Sequence, residues 1–226
     1  MSTRVGLIVP SSNSVIEVDF YRRLPPEATL HTARMYLEET TPEGESAMLD
    51  EHLPIAINDL RSARPDVMVF GCTSAGALRG NAYEAQLIQR IAGETGAETF
   101  SVAASVRRVI REAGGHRVGV ITPYVDSLND KIRQSLEDDG FEVAGIHGLG
   151  ITDNFAIAEV EPERIAQFAV ECFGGTDIEL LFASCTNFRA IDAREEIQAA
   201  LGVPVVTSNH AALVCVLDQI GAPATV

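Results

Sequence analysis

Short apolar runs alternate with longer amphipathic segments along most of the 226-residue chain. The runs RVGLIVP and DVMVFGCTS end in Gly, Pro or small polar residues, whereas segments such as YEAQLIQRIAGETG carry apolar residues at helical spacing. Parallel strands joined by crossover helices produce this alternation. The pattern therefore predicts an α/β fold with mostly parallel sheets.

The pattern occurs twice. RVGVITP at 117–123 repeats RVGLIVP at 4–10, and IELLFASCTN at 178–187 repeats PDVMVFGCTS at 65–74. Both repeats keep one spacing, because 113 residues separate the two prolines and also the two cysteines (123 − 10 and 185 − 72). We therefore predict two pseudo-symmetric α/β lobes, with boundaries at 1–112 and 113–226 and a return of the chain to the first lobe near the C-terminus.

Four loops are expected to surround a ligand between these lobes, because open α/β sheets bind ligands at the carboxyl ends of their strands. PSSN follows the first strand of the first lobe, and TPY occupies the corresponding place in the second. GCTS and SCTN follow a later strand in each lobe. Their shared spacing predicts that Cys72 and Cys185 face each other across the cleft between the lobes.

The four cysteines fall into two kinds. Cys172 and Cys215 lie in apolar helical segments, and we assign both to packing. Cys72 and Cys185 each precede a Thr and a further polar residue at a strand-to-helix turn, where backbone N–H groups stabilise a thiolate. Two such thiols allow one to attack while the other donates a proton, although spacing alone also permits purely structural turns.

Composition excludes several classes of function. A net charge of −15 disfavours nucleic acid and anionic membranes as partners. The N-terminus enters an apolar strand at once and no run is long enough to span a bilayer, so we expect a cytoplasmic protein with reduced thiols.

Cofactor signatures are missing from the sequence. The single lysine, Lys131, lies on the flank of an amphipathic helix, which argues against pyridoxal phosphate. The five histidines are scattered, and neither CxxC, GxGxxG nor GxxxxGK occurs, so we expect no metal and no nucleotide. His210 ends a late strand, and we expect it to cap or support rather than to react.

Polar residues in the same loops suggest a pocket for a small anion. Asn13 offers an amide, Tyr124 a phenol, and Asn154 interrupts two apolar runs, while Ser11 and Ser12 suit caps for the helix that starts near Val15. Each residue alone also suits a turn or a cap. Around two cysteines they predict a carboxylate-binding site.

These motifs resemble the aspartate/glutamate racemase superfamily, and within it the maleate cis-trans isomerases. The resemblance covers nearly the whole chain and rests on VPSSN, GCTSAG, ITPY, TDN and SCTNFRAID. It implies two Rossmann-like lobes, no cofactor, and an active site between the lobes. It also implies that Cys72 attacks the double bond of maleate to give a succinyl thioether, with Cys185 as the acid/base partner.

The same resemblance implies a small carboxylate substrate and a homo-oligomer, either a dimer or a tetramer. Asn13, Tyr124 and Asn154 match the carboxylate-binding positions of the family. The full set of expected substrate-binding residues adds the neighbouring loop positions Ser11, Thr73, Ser74, Thr186 and Asn187. Ser14-Val15 stands where maleate isomerases often have Thr-Thr, so contacts on the substrate side differ.

Other functions stay open at this point. The first loop lacks the aspartate of amino-acid racemases, and Asn187 replaces their histidine, but a racemase of another small amino acid or a hydantoin is compatible with two thiols. Arylmalonate decarboxylases lack the first thiol, so Cys72 argues against that activity. A binding or redox module, in which the two thiols form a disulfide, is the alternative without catalysis.

Overall fold

Two parallel β-sheets form the centre of the protein, as seen in a computed structural model that describes residues 2–223. Each sheet has four strands, in the orders β2-β1-β3-β4 and β6-β5-β7-β8. The strands are β1 (Thr3–Pro10), β2 (Ala28–Met35), β3 (Val67–Phe70), β4 (Glu98–Ser101), β5 (Arg117–Thr122), β6 (Glu142–Gly148), β7 (Leu180–Ala183) and β8 (Val205–Thr207).

Helices cover the sheets and connect successive strands. They are α1 (Ile16–Arg23), α2 (Pro42–Ala47), α3 (Leu53–Arg61), α4 (Thr73–Leu78), α5 (Asn81–Thr95), α6 (Val102–Glu112), α7 (Asp126–Asp138), α8 (Asn154–Ala158), α9 (Pro162–Phe173), α10 (Ala190–Leu201) and α11 (Ser208–Gln219). A π-helical turn, Met48–His52, joins α2 to α3.

Burial of the strands follows their apolar content. Every residue of β3 and β7 is buried, as expected for central strands of a parallel sheet covered on both faces. The edge strand β2 carries polar residues and is mostly half-exposed. The apolar runs at the centre of each repeat therefore form the core, and each cysteine loop directly follows a fully buried central strand.

The two lobes have the same topology, which confirms the predicted α/β fold with two similar parallel sheets. Strands β1 to β4 correspond in order to β5 to β8. The repeat extends to helix ends, because Gly96 after α5 and Gly202 after α10 both have positive φ, at 73° and 71°. Glycine adopts this left-handed conformation without a steric penalty and commonly terminates helices.

The lobes are joined by more than the connecting chain. Helix α11 follows β8 of the second sheet but packs on α6 and α1 of the first lobe. A buried ion pair between Arg107 and Glu84 adds a second connection, because Arg107 also donates to the Ser135 hydroxyl of α7 at 3.1 Å. Within residues 2–223, no helix is long and apolar enough to cross a membrane.

Gly148 allows the second lobe to pack closely behind the Tyr124 loop. A Cβ at this position would collide with the Tyr124 carbonyl oxygen, and would lie 2.5 Å from Nδ2 of Asn129. We predict that Gly148→Ala lowers the free energy of unfolding by about 1–3 kcal/mol, since the backbone must move to accept the methyl group. Urea denaturation measures this change.

Gly93→Ala is the matched control. Gly93 lies within α5, and a Cβ there would meet no atom within 4 Å. This substitution is expected to raise the free energy of unfolding by about 0.5–1 kcal/mol, since alanine is the better helix former. Equal effects of the two substitutions would contradict the packing argument for Gly148.

Candidate active site

The two predicted loop cysteines lie at equivalent places in the two lobes. Cys72 follows β3 and precedes α4, with an extended backbone at φ −141°. Cys185 follows β7, and its φ of 117° is a conformation that side chains rarely adopt. Only 4% of Cys72 and 5% of Cys185 is exposed, so both thiols are enclosed between the lobes.

Tyr124 brings the two thiols into one group. Its hydroxyl hydrogen-bonds with the Cys185 thiol. Burial raises the pKa of Tyr124 well above the usual range, and both cysteines, when ionised, would raise it further. The two cysteines also act on each other electrostatically. The structure therefore brings Cys72, Cys185 and Tyr124 together in the cleft.

Thr186 links the cysteine loops of the two lobes. Its hydroxyl donates to the carbonyl of Gly71, at 3.1 Å, and accepts from Nδ2 of Asn13, at 3.0 Å. Behind Cys185, the Ser208 hydroxyl accepts the Cys185 N–H at 3.0 Å and the Thr73 hydroxyl at 2.9 Å. Both strand-to-helix turns are thus held by side chains of the opposite lobe.

Asn13 caps α1, and the serines before it do not. Its Oδ1 accepts from the N–H groups of Val15 and Ile16, at 3.0 and 3.1 Å. The expectation that Ser11 and Ser12 cap this helix is wrong, because both hydroxyls bond instead to the backbone of Leu37 beyond β2. The asparagine lies closer to the helix and so reaches its free N–H groups first.

Asn187 and Asn154 connect the remaining loops. Asn187 accepts from the N–H of Ser14 at 2.9 Å, donates to the Asn154 carbonyl at 2.6 Å, and its own N–H approaches Sγ of Cys185 at 3.3 Å. Asn154 accepts from the Thr40 hydroxyl at 3.1 Å and donates to the Ser12 hydroxyl at 2.7 Å. Both asparagines are almost fully buried.

Most of the predicted site residues therefore form one connected network, and the Ser11 side chain does not bond to any other member of it. Asn13, Thr73, Thr186, Asn187 and Asn154 all bond to other residues of the cleft. Ser74 lies beside Cys72, with Oγ 3.8 Å from Sγ. The Ser11 hydroxyl bonds only to the backbone of Leu37.

Glu45 is a site residue that sequence reasoning missed. It lies on α2, has no exposed surface, and accepts a short hydrogen bond from the Ser74 hydroxyl through Oε1. Its charge acts on Cys72, Cys185 and Tyr124. Burial raises the pKa of Glu45 to about 8. Nothing in PEGESA distinguishes this residue from a solvated surface glutamate.

Burial also dominates the ionisation of the two thiols. It raises the pKa of Cys72 well above its usual range and that of Cys185 to about 11, although nearby N–H groups act in the opposite direction. The sequence led us to expect thiolates stabilised by these N–H groups. In the closed cleft, loss of solvent outweighs them, and both cysteines rest as neutral thiols.

The other candidate residues lie outside this network. Cys215 is buried on α11 and Cys172 half-buried on α9. His210 is buried at the start of α11, where burial lowers its pKa to about 4 and keeps it neutral. Within the described part of the chain, no group of three or more His, Cys, Asp or Glu side chains could hold a metal ion.

Comparison with known proteins identifies the family. The model of the arylmalonate decarboxylase family matches residues 5–226. The chain belongs to the arylmalonate decarboxylase family. Its sequence is 29% identical to the arylmalonate decarboxylase of Bordetella bronchiseptica, over 92% of this chain and 86% of that protein. It is 30% identical to the maleate isomerase of Alcaligenes faecalis, over 91% of this chain and 86% of that protein.

Solved structures of this family have the same fold. A cysteine-to-alanine variant of the maleate isomerase from Pseudomonas putida S16, solved with maleate, superposes with a TM-score of 0.92 at 25% identity, covering 99% of this chain and 94% of that one. A liganded double mutant of arylmalonate decarboxylase gives 0.89 at 27% identity, covering 97% and 93%. The resemblance to maleate isomerases read from the motifs is thereby confirmed.

The positive φ of Cys185 generates a stability prediction. A non-glycine residue in such a conformation costs about 1–3 kcal/mol, and glycine avoids that cost. We therefore expect Cys185→Gly to have a free energy of unfolding higher than that of Cys185→Ala by about 1 kcal/mol. Urea denaturation of the two variants measures the difference directly.

Cys215 provides the matched control, because it is a buried cysteine in the middle of α11. Here the order reverses, and Cys215→Gly is expected to be less stable than Cys215→Ala by about 1 kcal/mol. If the glycine variant were less stable than the alanine variant at both positions, the Cys185 backbone would carry no strain.

Proposed function

We propose that this member of the arylmalonate decarboxylase family is a cofactor-independent isomerase that converts maleate to fumarate through a covalent cysteine thioether. The observation that carries the proposal is the pair of buried thiols, Cys72 and Cys185, which meet at Tyr124 from opposite lobes. Relatives named maleate isomerase, matched over nearly the whole chain, support the same activity.

The reaction uses one thiol as nucleophile and the other as acid. The Cys72 thiol first releases its proton to water, and the thiolate Sγ then adds to one alkene carbon while the electron pair of the double bond moves toward the carboxylate beside the other carbon. Cys185 gives its proton to that carbon, so a succinyl thioether remains on Cys72. The former double bond is now single and rotates. Return of this proton to Cys185 and cleavage of the bond between carbon and the Cys72 sulfur re-form the double bond and release the trans acid.

Neutral hydrogen-bond donors bind the two carboxylates. Asn13, Asn154 and Asn187 offer amides, Tyr124 a phenol, and the loops after β3 and β7 offer Thr73, Ser74 and Thr186, with Ser11 at the edge. Donors placed where charge develops stabilise the carbanion-like transition state, because a closed site excludes water. The donors bond to one another in the closed cleft, so substrate replaces some of these bonds.

Racemisation is the competing activity, because two thiols on opposite faces also exchange a proton at a carbon centre. The isomerase is favoured because the site offers several amide and hydroxyl donors, which suit the two carboxylates of maleate. Its buried carboxyl, Glu45, forms no ion pair with Lys or Arg in residues 2–223. An amino acid would present an ammonium group, and Glu45, with its raised pKa, is a poor partner for it near neutral pH.

We also propose a cytoplasmic location and a homo-oligomer, a dimer or a tetramer. A reducing compartment keeps Cys72 and Cys185 as the free thiols that the reaction needs. Exposed apolar side chains on both lobes, among them Tyr36, Ile55 and Phe155, offer contact area for a second copy. The strongly acidic surface disfavours nucleic acid.

The proposal predicts that the purified protein converts maleate to fumarate without an added cofactor. Cys72→Ala abolishes the conversion, and Cys185→Ser reduces kcat by about a thousandfold or more, because the hydroxyl is a far weaker acid than the thiol. Proton NMR in deuterated buffer follows both acids directly. Cys172→Ser, a change on α9 away from the cleft, retains full activity.

The same NMR experiment distinguishes the alternatives. Deuterium exchange at Cα of an added amino acid, with no fumarate formed, would indicate a racemase. Loss of carbon dioxide from an arylmalonate would indicate a decarboxylase. Full isomerase activity of Cys72→Ala would contradict the covalent mechanism.

Asn13 provides a second test of the site. Asn13→Asp and Asn13→Ser both keep an oxygen that can cap α1, but Asp places a negative charge where substrate carboxylate binds. We expect kcat/KM for maleate to fall about hundredfold in Asn13→Asp but only about tenfold in Asn13→Ser, and both losses should lie mainly in KM. Steady-state kinetics with maleate measures both. Equal losses would mean that Asn13 serves only as a helix cap.

A further inference from the structure

Glu45 places a buried carboxyl group beside the first cysteine loop, and one of its two oxygens is unused. Oε1 accepts from the Ser74 hydroxyl, whereas Oε2 is buried and has no hydrogen-bond partner in the part of the chain that the structure describes. No arginine or lysine forms an ion pair with it across residues 2–223. A buried polar atom without a partner is costly, so such atoms are rare in folded proteins.

The contacts of Glu45 place its carboxyl group beside the reacting groups. The carboxyl bonds to Ser74, two residues after Cys72, and is close enough to raise the pKa values of Cys72, Cys185 and Tyr124 by its charge. These three side chains enclose the place where the alkene must lie between the two sulfurs. Oε2 is therefore the oxygen of this carboxyl that remains free to bond with a ligand between the sulfurs.

We propose that Glu45, as a neutral carboxylic acid, donates a hydrogen bond from Oε2 to one carboxylate of the substrate, and that its ionisation excludes doubly charged acids. This assignment rests on the proposed dicarboxylate function and adds a specificity-determining residue to it. A carboxyl proton is a strong donor toward a carboxylate, whereas two ionised carboxylates at the same distance repel each other.

Protonation of Glu45 fits its position. Burial raises the pKa of Glu45 to about 8, so the neutral acid predominates at neutral pH. A bound dianion raises it further, so binding takes up a proton when the pH is above about 8. Below that pH affinity is constant, and above it the dissociation constant rises about tenfold per pH unit.

The other titratable groups around α2 do not replace Glu45 in this role. Cys72, Cys185 and Tyr124 face it from the cleft, and each is neutral until well above pH 8. Helix α4, which packs against α2, carries no titratable side chain within Thr73–Leu78. The π-helical turn contributes Asp50, Glu51 and His52, which are exposed or half-exposed, and Asp50 pairs with Arg79.

Calorimetric titration with succinate tests the assignment without catalysis, because succinate has both carboxylates but no double bond for a thiolate to attack. Titrations from about pH 7 to about pH 9.5 keep both carboxyls of the ligand ionised. Repeating each titration in buffers of different ionisation enthalpy counts the protons taken up. We expect uptake of about one proton per succinate above pH 8, and a tenfold weaker affinity per pH unit.

Two variants and one control separate hydrogen bonding from structure. Glu45→Gln keeps a donor and an acceptor but cannot ionise, so succinate binding, and KM for maleate, become independent of pH in this range. Glu45→Leu loses the donor and also cannot ionise, so it binds about tenfold to hundredfold more weakly than the unaltered protein at pH 7, without further loss as the pH rises. Glu43→Gln removes an exposed carboxyl of the same helix and keeps the pH dependence of the unaltered protein.

The outcomes distinguish this inference from the proposed function. Succinate binding without proton uptake, or a Glu45→Gln variant that keeps the pH dependence, would overturn the role of Glu45 and leave a dicarboxylate site intact. Failure of succinate and maleate to bind at any pH would overturn the proposed function on which the inference rests. Maleamate, which carries one carboxylate and one amide, is expected to bind with little loss above pH 8, since its amide donates to the ionised Glu45.

Discussion

The hydroxyl of Thr186 is the contact on which the geometry of the cleft depends. It belongs to the second lobe, yet it donates to the carbonyl before Cys72 and accepts from Asn13, which caps the first helix. Three loops from two lobes thus meet at one oxygen atom. Because the hydroxyl has only one proton, its direction is set by the carbonyl of Gly71, and the amide of Asn13 must donate. A valine, which lacks the hydroxyl, would leave both partners unsatisfied.

Around this point the chain uses asparagine amides as two-sided connectors. Asn13, Asn154 and Asn187 each donate and accept, and each joins segments that are far apart in sequence. A charged residue at these positions would need a buried counter-ion, at a large cost in desolvation. Amides avoid that cost. They also suit an anionic ligand, because they donate hydrogen bonds to it without holding it by a full opposite charge.

Much of this architecture follows from the sequence, and the reason is duplication. The constant spacing between the two prolines and between Cys72 and Cys185 predicted equivalent sheets, and both sheets have the same strand order. The residues that the loops contribute to the cleft were also predictable, since parallel strands end at one edge. Their partners were not. The Asn13–Thr186 bond joins positions 173 residues apart, and Ser11 and Ser12 turned toward Leu37 because β2 lies beside β1.

Glu45 and the backbone of Cys185 escaped prediction for a different reason. PEGESA has the composition of a solvated surface helix, and Glu45 is buried only because α2 packs against α4 beside the first cysteine loop. The φ of 117° at Cys185 has no counterpart at Cys72, where φ is −141°. A repeat in sequence predicts equivalence, so it conceals the places where the two copies have diverged.

Helix α11 has a consequence for how the protein is made. It follows the last strand of the second sheet, yet its buried face packs on α6 and α1, which precede that sheet in the chain. A ribosome releases the first sheet well before α11 has been synthesised. Until then, the apolar faces of α6 and α1 lack their partner. The first lobe, although translated first, therefore completes its core only when the last helix of the described chain has packed on it.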